Sequence, residues 1–116
     1  MSKFTPMRNY NLVNEFLGDK AKKNVLDKTK LYKTTTDAIV VEFNGCDVLG
    51  FFPDGSVYID LTKDNSQLAL KRINQFLPEN YELMKAEDGF IINSPKEKKT
   101  VSKIGMIMND GSIVTE

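Results

Sequence analysis

Hydrophobic positions along this chain change their period twice. In YNLVNEFL, Tyr10, Val13, Phe16 and Leu17 fall three or four residues apart, which predicts a short helix. Gly18 is its expected stop, because glycine enters the left-handed conformation that ends helices at low steric cost. The next stretch, DKAKKNVLDKTK over residues 19–30, sets Ala21 and Val25 on one thin stripe among Lys20, Lys22, Lys23 and Lys28. A second short helix capped by Asp19 is expected there. Residues 1–30 therefore read as a helical N-terminal segment before an α+β core at 31–116.

From Leu31 the period is two. Tyr32, Thr34, Thr35 and Thr36 favour extended backbone. In DAIVVEF, Ile39, Val41 and Phe43 share a face; in SVYIDL, Val57, Ile59 and Leu61 oppose Ser56, Tyr58 and Asp60. Such alternation predicts a half-buried antiparallel sheet. CDVLGFF, apolar on both faces, belongs at its centre. The period then returns to helical in DNSQLALKRINQFLP, where Ala69, Leu70, Ile73, Phe76 and Leu77 form a stripe. Lys71, Arg72, Asn74 and Gln75 are expected to face away. Asp64, Asn65 and Ser66 are all competent caps, and Pro78 is the expected stop of a helix over 66–77 lying across the sheet. Hairpin-like runs follow, YELMKAE and FIIN, then a charged loop at 94–103, then Ile104, Met106 and Met108 on one face.

Four Asx-Gly pairs separate these strands: Asn44-Gly45, Asp54-Gly55, Asp88-Gly89 and Asp110-Gly111. A type I′ hairpin turn needs positive φ at both central residues, which such pairs tolerate best. A calcium loop would need several spaced oxygen ligands with a later Glu. A phosphate cradle would need more glycines followed by a helix. Neither pattern is present, so the pairs read as corners of an α+β fold: an antiparallel meander, one amphipathic helix and C-terminal hairpins.

Blocks DVLGFFPDGSVYIDL (47–61) and KRINQFLPENYELMKAEDGFIIN (71–93) resemble a group of small proteins encoded by bacteriophages and prophages. The resemblance lies in an Asp-Val strand, a Pro-Asp-Gly turn, a second strand and an Arg-Ile-Asn…Phe-Leu-Pro helix end, and it covers about half of the chain. Where the group caps this helix with threonines, the chain has Leu68 and Ala69, which moves the cap to residues 64–66. The first 30 residues and the tail do not match, and the group's histidine and tryptophan are missing. The resemblance implies a phage setting and carries over no catalytic residue. A composition rich in Lys, Asn and Ile suits a low-GC host.

Composition changes the picture mainly by exclusion. A length of 116 residues, 41% hydrophobic and 28% charged, describes one globular domain over 1–116. No apolar run approaches the roughly 20 residues that span a bilayer. The opening MSKFTPMRNYNL lacks a signal peptide's apolar core, so a cytoplasmic protein of the bacterial host with no membrane partner is expected. Without His, no Ser–His or Cys–His pair exists, and the single Cys46 cannot build a zinc site. Cys46 reads as a small strand residue. No catalytic residue, cofactor or metal is expected, although Asp37, Glu42, Asp47, Asp54, Asp60 and Asp64 could gather on a sheet edge to hold magnesium.

Net charge is zero but polarised: residues 1–36 hold eight Lys/Arg against three Asp/Glu, and 37–95 hold four against ten. Solvated faces explain most such runs, while a polarised molecule also suits docking on a charged partner. Candidate partner-binding residues are Lys20, Lys22, Lys23, Lys28, Lys30, Tyr32 and Lys33, with Arg72 and Asn74 on the helix. The leading expectation is a non-catalytic accessory protein that binds a bacterial host protein, for example inhibiting a defence nuclease of the CRISPR type. Nucleic-acid binding through the lysines and a metal-dependent nucleotide binder or hydrolase are the alternatives. Homodimerisation through an exposed strand edge is also open.

Overall fold

A computed structural model describes residues 7–115; the first six residues of the expected N-terminal segment, and residue 116, lie outside it. Helix α1, Tyr10–Leu17, is capped by Asn9, whose side chain accepts from the Leu12 N–H at 2.9 Å. Gly18 closes it with φ of +63°, its N–H reaching the Asn14 carbonyl at 2.9 Å. Val13 and Leu17 are buried.

No second helix follows. Residues 22–33 form a hairpin of β1 (Lys22–Leu26) and β2 (Thr29–Lys33). Ala21 and Val25 lie four residues apart, a spacing that fits a strand's period of two as well as a helix. The strand prevails because Leu31 and Thr29 are buried and β2 pairs along its whole length with β3. A lone helix here would have had almost no apolar face to bury.

Strands β3 (Ile39–Phe43), β4 (Cys46–Phe51) and β5 (Val57–Asp60) continue the meander, with CDVLGF central as expected. Helix α2 (Gln67–Asn74) comes next, then β6 (Glu82–Ala86), β7 (Gly89–Asn93), β8 (Lys98–Val101), β9 (Ile104–Ile107) and β10 (Ile113–Thr115). All pairings are antiparallel. They build a seven-stranded sheet in the order β1-β2-β3-β4-β5-β9-β10 and a three-stranded sheet, β6-β7-β8. The expected loop at 94–103 is shorter than its charge suggested, since Lys98–Val101 is an edge strand. Only Val101 of that strand is buried, and an edge strand tolerates charge on its remaining positions.

One core joins all of this. Cross-strand register lines up Leu31, Val41, Leu49, Ile59 and Gly105 on the inner face of the large sheet. The small sheet presses on that row at Gly105, where an added Cβ would lie 2.7 Å from the Ile92 Cδ1 and 3.2 Å from the Val101 Cγ1. Helix α2 covers the same face through Ala69, Leu70 and Ile73. Phe76 meets Phe51 edge to face, with centroids 6.5 Å apart.

Among the three candidate caps it is Ser66 that works, its Oγ accepting from the Ala69 N–H at 3.2 Å. Asp64 steadies Ser66 by accepting its N–H at 3.0 Å. The helix ends at Asn74, earlier than Pro78 implied. Beyond it the chain tightens into a turn, with the Phe76 and Leu77 N–H groups both reaching the Ile73 carbonyl. The Arg8 guanidinium donates to the Asn74 and Leu77 carbonyls at 3.2 and 2.6 Å, neutralising acceptors that a helix end leaves orphaned.

Since Ile73 and Phe76 have no exposed surface, their truncation leaves a cavity beneath the sheet. Ile73→Ala should cost about 2–5 kcal/mol and Phe76→Ala about 3–5 kcal/mol, read as a lower urea midpoint. An unchanged midpoint in both would refute the placement of α2.

Candidate functional site

Both helices and the small sheet lie on the inner face of the large sheet, so the side chains worth searching are those pointing the other way. Register carries one row across all seven strands: Lys22, Tyr32, Val40, Gly50, Tyr58, Met106 and Val114. Tyr32, Val40, Tyr58 and Met106 are half-buried, and Val114 is 53% exposed. Ile104 and Met108 share the face with Met106. The apolar alternation of β9 thus points outward, while Gly105 and Ile107 face the core.

Gly50 leaves a dent in this row. Its φ is negative, and an added Cβ would meet only the Tyr58 Cβ, at 3.9 Å. The dent opens into a groove of about 280 Å³ lined by Val40, Leu49, Phe52 and Tyr58, with Thr34 and Thr36 at one side and Asp47 and Asp60 among its walls. The extra residue of a β-bulge, Val48, sets the register here: Val41 pairs with Leu49, but Glu42 pairs with Asp47. The bulge therefore turns Asp47 onto the outer face, directly opposite Glu42. Asp60, two residues beyond Tyr58 on β5, stands at the same end. The Tyr32 hydroxyl donates to Asp47 Oδ2 at 2.6 Å. Burial, that hydrogen bond, and the charges of Asp47 and Glu42 push the phenol up to about 12.

The candidate lysines divide between the two faces. Lys22 and Lys30 point outward, Lys22 reaching Glu42 at 3.3 Å and lying 5.5 Å from the Tyr32 ring centre. Lys23 turns inward over the Phe16 ring at 4.2 Å and donates to the Phe16 carbonyl, and Lys33 donates to Asn14 Oδ1 at 2.8 Å. Those two fasten α1 to the sheet. Lys20 is exposed in the connection after α1, and Lys28 occupies the β1–β2 hairpin tip at φ of +55°. Only Tyr32, Lys22 and Lys30 share the outer face.

Arg72 and Asn74 are not on the exposed face of α2 as expected. Asn74 bridges to β6, its amide donating to the Leu83 carbonyl at 2.9 Å and accepting the Leu83 N–H at 2.8 Å. Arg72 lies over Phe43 at 5.6 Å and donates to Gln75 Oε1 at 2.8 Å. At 100° per residue, neighbours of the buried Ile73 sit at the flanks of the apolar stripe rather than opposite it. The carboxylates do not gather at an edge: among the described residues no three acidic or cysteine side chains converge as a metal site would require. Cys46 is half-buried opposite Phe43 and packs against the core. Among the described residues no helix is long and apolar enough to cross a membrane. Compared with family models, curated proteins and solved structures, the chain finds no significant match in any of the three.

The four Asx-Gly pairs are corners, but of three kinds. Asn44-Gly45 is the expected type I′ turn, with φ of +53° and +83°. Asp54 and Asp110 instead sit in three-residue loops in which only the glycine has positive φ. In each, the glycine N–H returns to the carbonyl three residues back, and the Asp Oδ1 accepts both the N–H and the hydroxyl of the following serine. At the fourth corner Glu87 and Asp88 form the loop, because Ala86 pairs with Gly89. Gly89 is glycine because a Cβ there would collide with the Val101 carbonyl of β8. The two Asp-Gly-Ser loops sit side by side, Asn109 donating to the Asp54 carbonyl at 3.2 Å.

Ser112, through its hydroxyl and its N–H, and then Lys96 hold Asp110 down from 3.8 to about 2, and Ser56 lowers Asp54 likewise. A carboxyl depressed in the folded state contributes stability above its unfolded value and loses it as pH falls through the folded one. Stability should therefore drop between about pH 4 and 2. Asp110→Asn should lie below the parent at pH 5, with the gap narrowing toward pH 2, in urea midpoints measured across that range. A constant gap would mean the ionised carboxylate contributes nothing.

Proposed function

We propose that this chain is a small phage-type accessory protein that works without catalysis, by binding a bacterial host protein in the host cytoplasm through the outer face of its seven-stranded sheet. The observation that carries the reading is the cross-sheet row of Tyr32, Val40, Tyr58, Met106 and Val114. Tyrosine and methionine are enriched at the cores of protein interfaces, tyrosine because its rigid ring supplies broad contact area at low cost in side-chain order and methionine because its flexible thioether fills irregular gaps. The phage resemblance of residues 47–61 and 71–93, together with small size and polarised charge, supports a host target, and inhibition of a defence nuclease such as a CRISPR effector is the example we put forward. The nucleic-acid reading draws less support, because Lys23 and Lys33 are engaged with α1 rather than aligned with Lys22 and Lys30. The nucleotide-hydrolase reading draws less still, because among the described residues no three carboxylates converge as the ligands of a metal ion would.

Capture from nuclease-treated bacterial lysate, read by mass spectrometry, tests the reading when run with outer-face variants. The parent should retain one protein near one-to-one, and Tyr58→Glu and Val114→Glu, at unchanged melting temperature, should each lose it. Retention by both variants would remove the outer face from the interaction, and recovery that vanishes with nuclease would favour nucleic acid.

A further inference from the structure

Two carboxylates, Asp47 and Asp60, stand at one end of the outer-face groove, with Glu42 beside Asp47. Glu42 and Asp47 are directly opposed on β3 and β4, and Asp60 follows on β5. Like charges in cross-strand positions destabilise a sheet; Lys22 and the register partner Lys30 attend Glu42, while Asp47 takes the Tyr32 hydroxyl and Asp60 Oδ1 takes the Thr62 N–H and hydroxyl. The three do not converge as the ligands of a metal ion would. Beside the carboxylates the groove is apolar and partly aromatic, with Val40, Phe52 and Tyr58 around the dent at Gly50. At about 280 Å³ it falls just below the span of drug-sized pockets, which suits a single long side chain.

Resting on the proposed protein-binding function, we infer that this groove seats an arginine side chain of the partner, its stem over Gly50 and its guanidinium against Asp47 and Asp60. Arginine matches each element of the site. Its planar, weakly hydrated head stacks on aromatic faces and engages carboxylates through paired N–H donors, and its three methylenes pack on apolar walls. Asp47 is held in place for this by the Tyr32 hydroxyl. Lysine would place a compact, strongly hydrated charge where the walls offer a flat slot, and an acidic side chain would meet the carboxylates of Asp47 and Asp60.

The test is titration of the full ¹⁵N-labelled chain with N-acetyl-arginine amide, and in parallel with the lysine and glutamate counterparts, followed by amide NMR shifts. The arginine compound should shift Val40, Asp47, Gly50 and Tyr58 saturably and more tightly than lysine, and glutamate should leave them unmoved. Gly50→Leu, whose side chain fills the dent while the carboxylates remain, should abolish the response. Asp47→Asn should weaken it by roughly tenfold, the loss of one charge-assisted contact. No saturable shift at these amides, an equal response to lysine or glutamate, or a full response in Gly50→Leu would each overturn the arginine seat. Because the titration uses no partner, its outcome is separate from that of the capture experiment. If the parent captures a protein, and Gly50→Leu retains it where Tyr58→Glu does not, the arginine seat falls while the protein-binding reading stands. A positive titration with no captured protein upholds the seat and removes the protein-binding reading.

Discussion

The contact on which the rest of the molecule depends is the one between the two sheets at Gly105. Ile92 and Val101 come so near its backbone that any side chain there would force them apart. Through this point the small sheet seals the inner face of the large one, and α2 completes the cover from the other side with Ile73 and Phe76. Burial of that face is the main favourable term available to a domain of this size. The inner row of Leu31, Val41, Leu49 and Ile59 is therefore committed to stability.

A sheet sealed on one side is left with a second side whose composition is not set by the core. Here that side carries tyrosines, methionines and valines where solvated antiparallel sheets usually carry polar residues. It also gathers acidic charge at one point, because the Val48 bulge swings Asp47 outward beside Glu42. Both features run against what stability alone would select, which is why they point to a use. The lysines near them serve a different end: two of the six fasten α1.

Much of the fold could be read from the chain because its strands alternate openly. DAIVVEF and SVYIDL show their buried faces by period alone, and Pro78 with Ser66 bracketed α2 to within a turn. The β1–β2 hairpin was hidden because Ala21 and Val25 fit either period and lysines occupy both faces of the segment. The outer row was hidden for a different reason. Tyr32, Val40, Gly50, Tyr58 and Met106 are irregularly spaced along the chain, and only register aligns them. Tyr58 between two buried residues, and the outward stripe of Ile104, Met106 and Met108, were the visible traces of it. Arg72 and Asn74 were misplaced because a residue beside the apolar stripe can still reach a neighbouring strand, as Asn74 does with Leu83.

The pairing of β5 with β9 spans everything from Leu61 to Lys103. Strands β1 to β5 are joined by short hairpins and can assemble from local contacts, but their last edge then waits for a partner that is made late. During synthesis, which proceeds from the N-terminus, that edge carries Val57 and Ile59 unpaired until β9 has cleared the ribosome. Chains truncated before Ile104 would keep this edge open permanently and should join one another along it. For this protein, cover for the β5 edge comes from a strand made well after it.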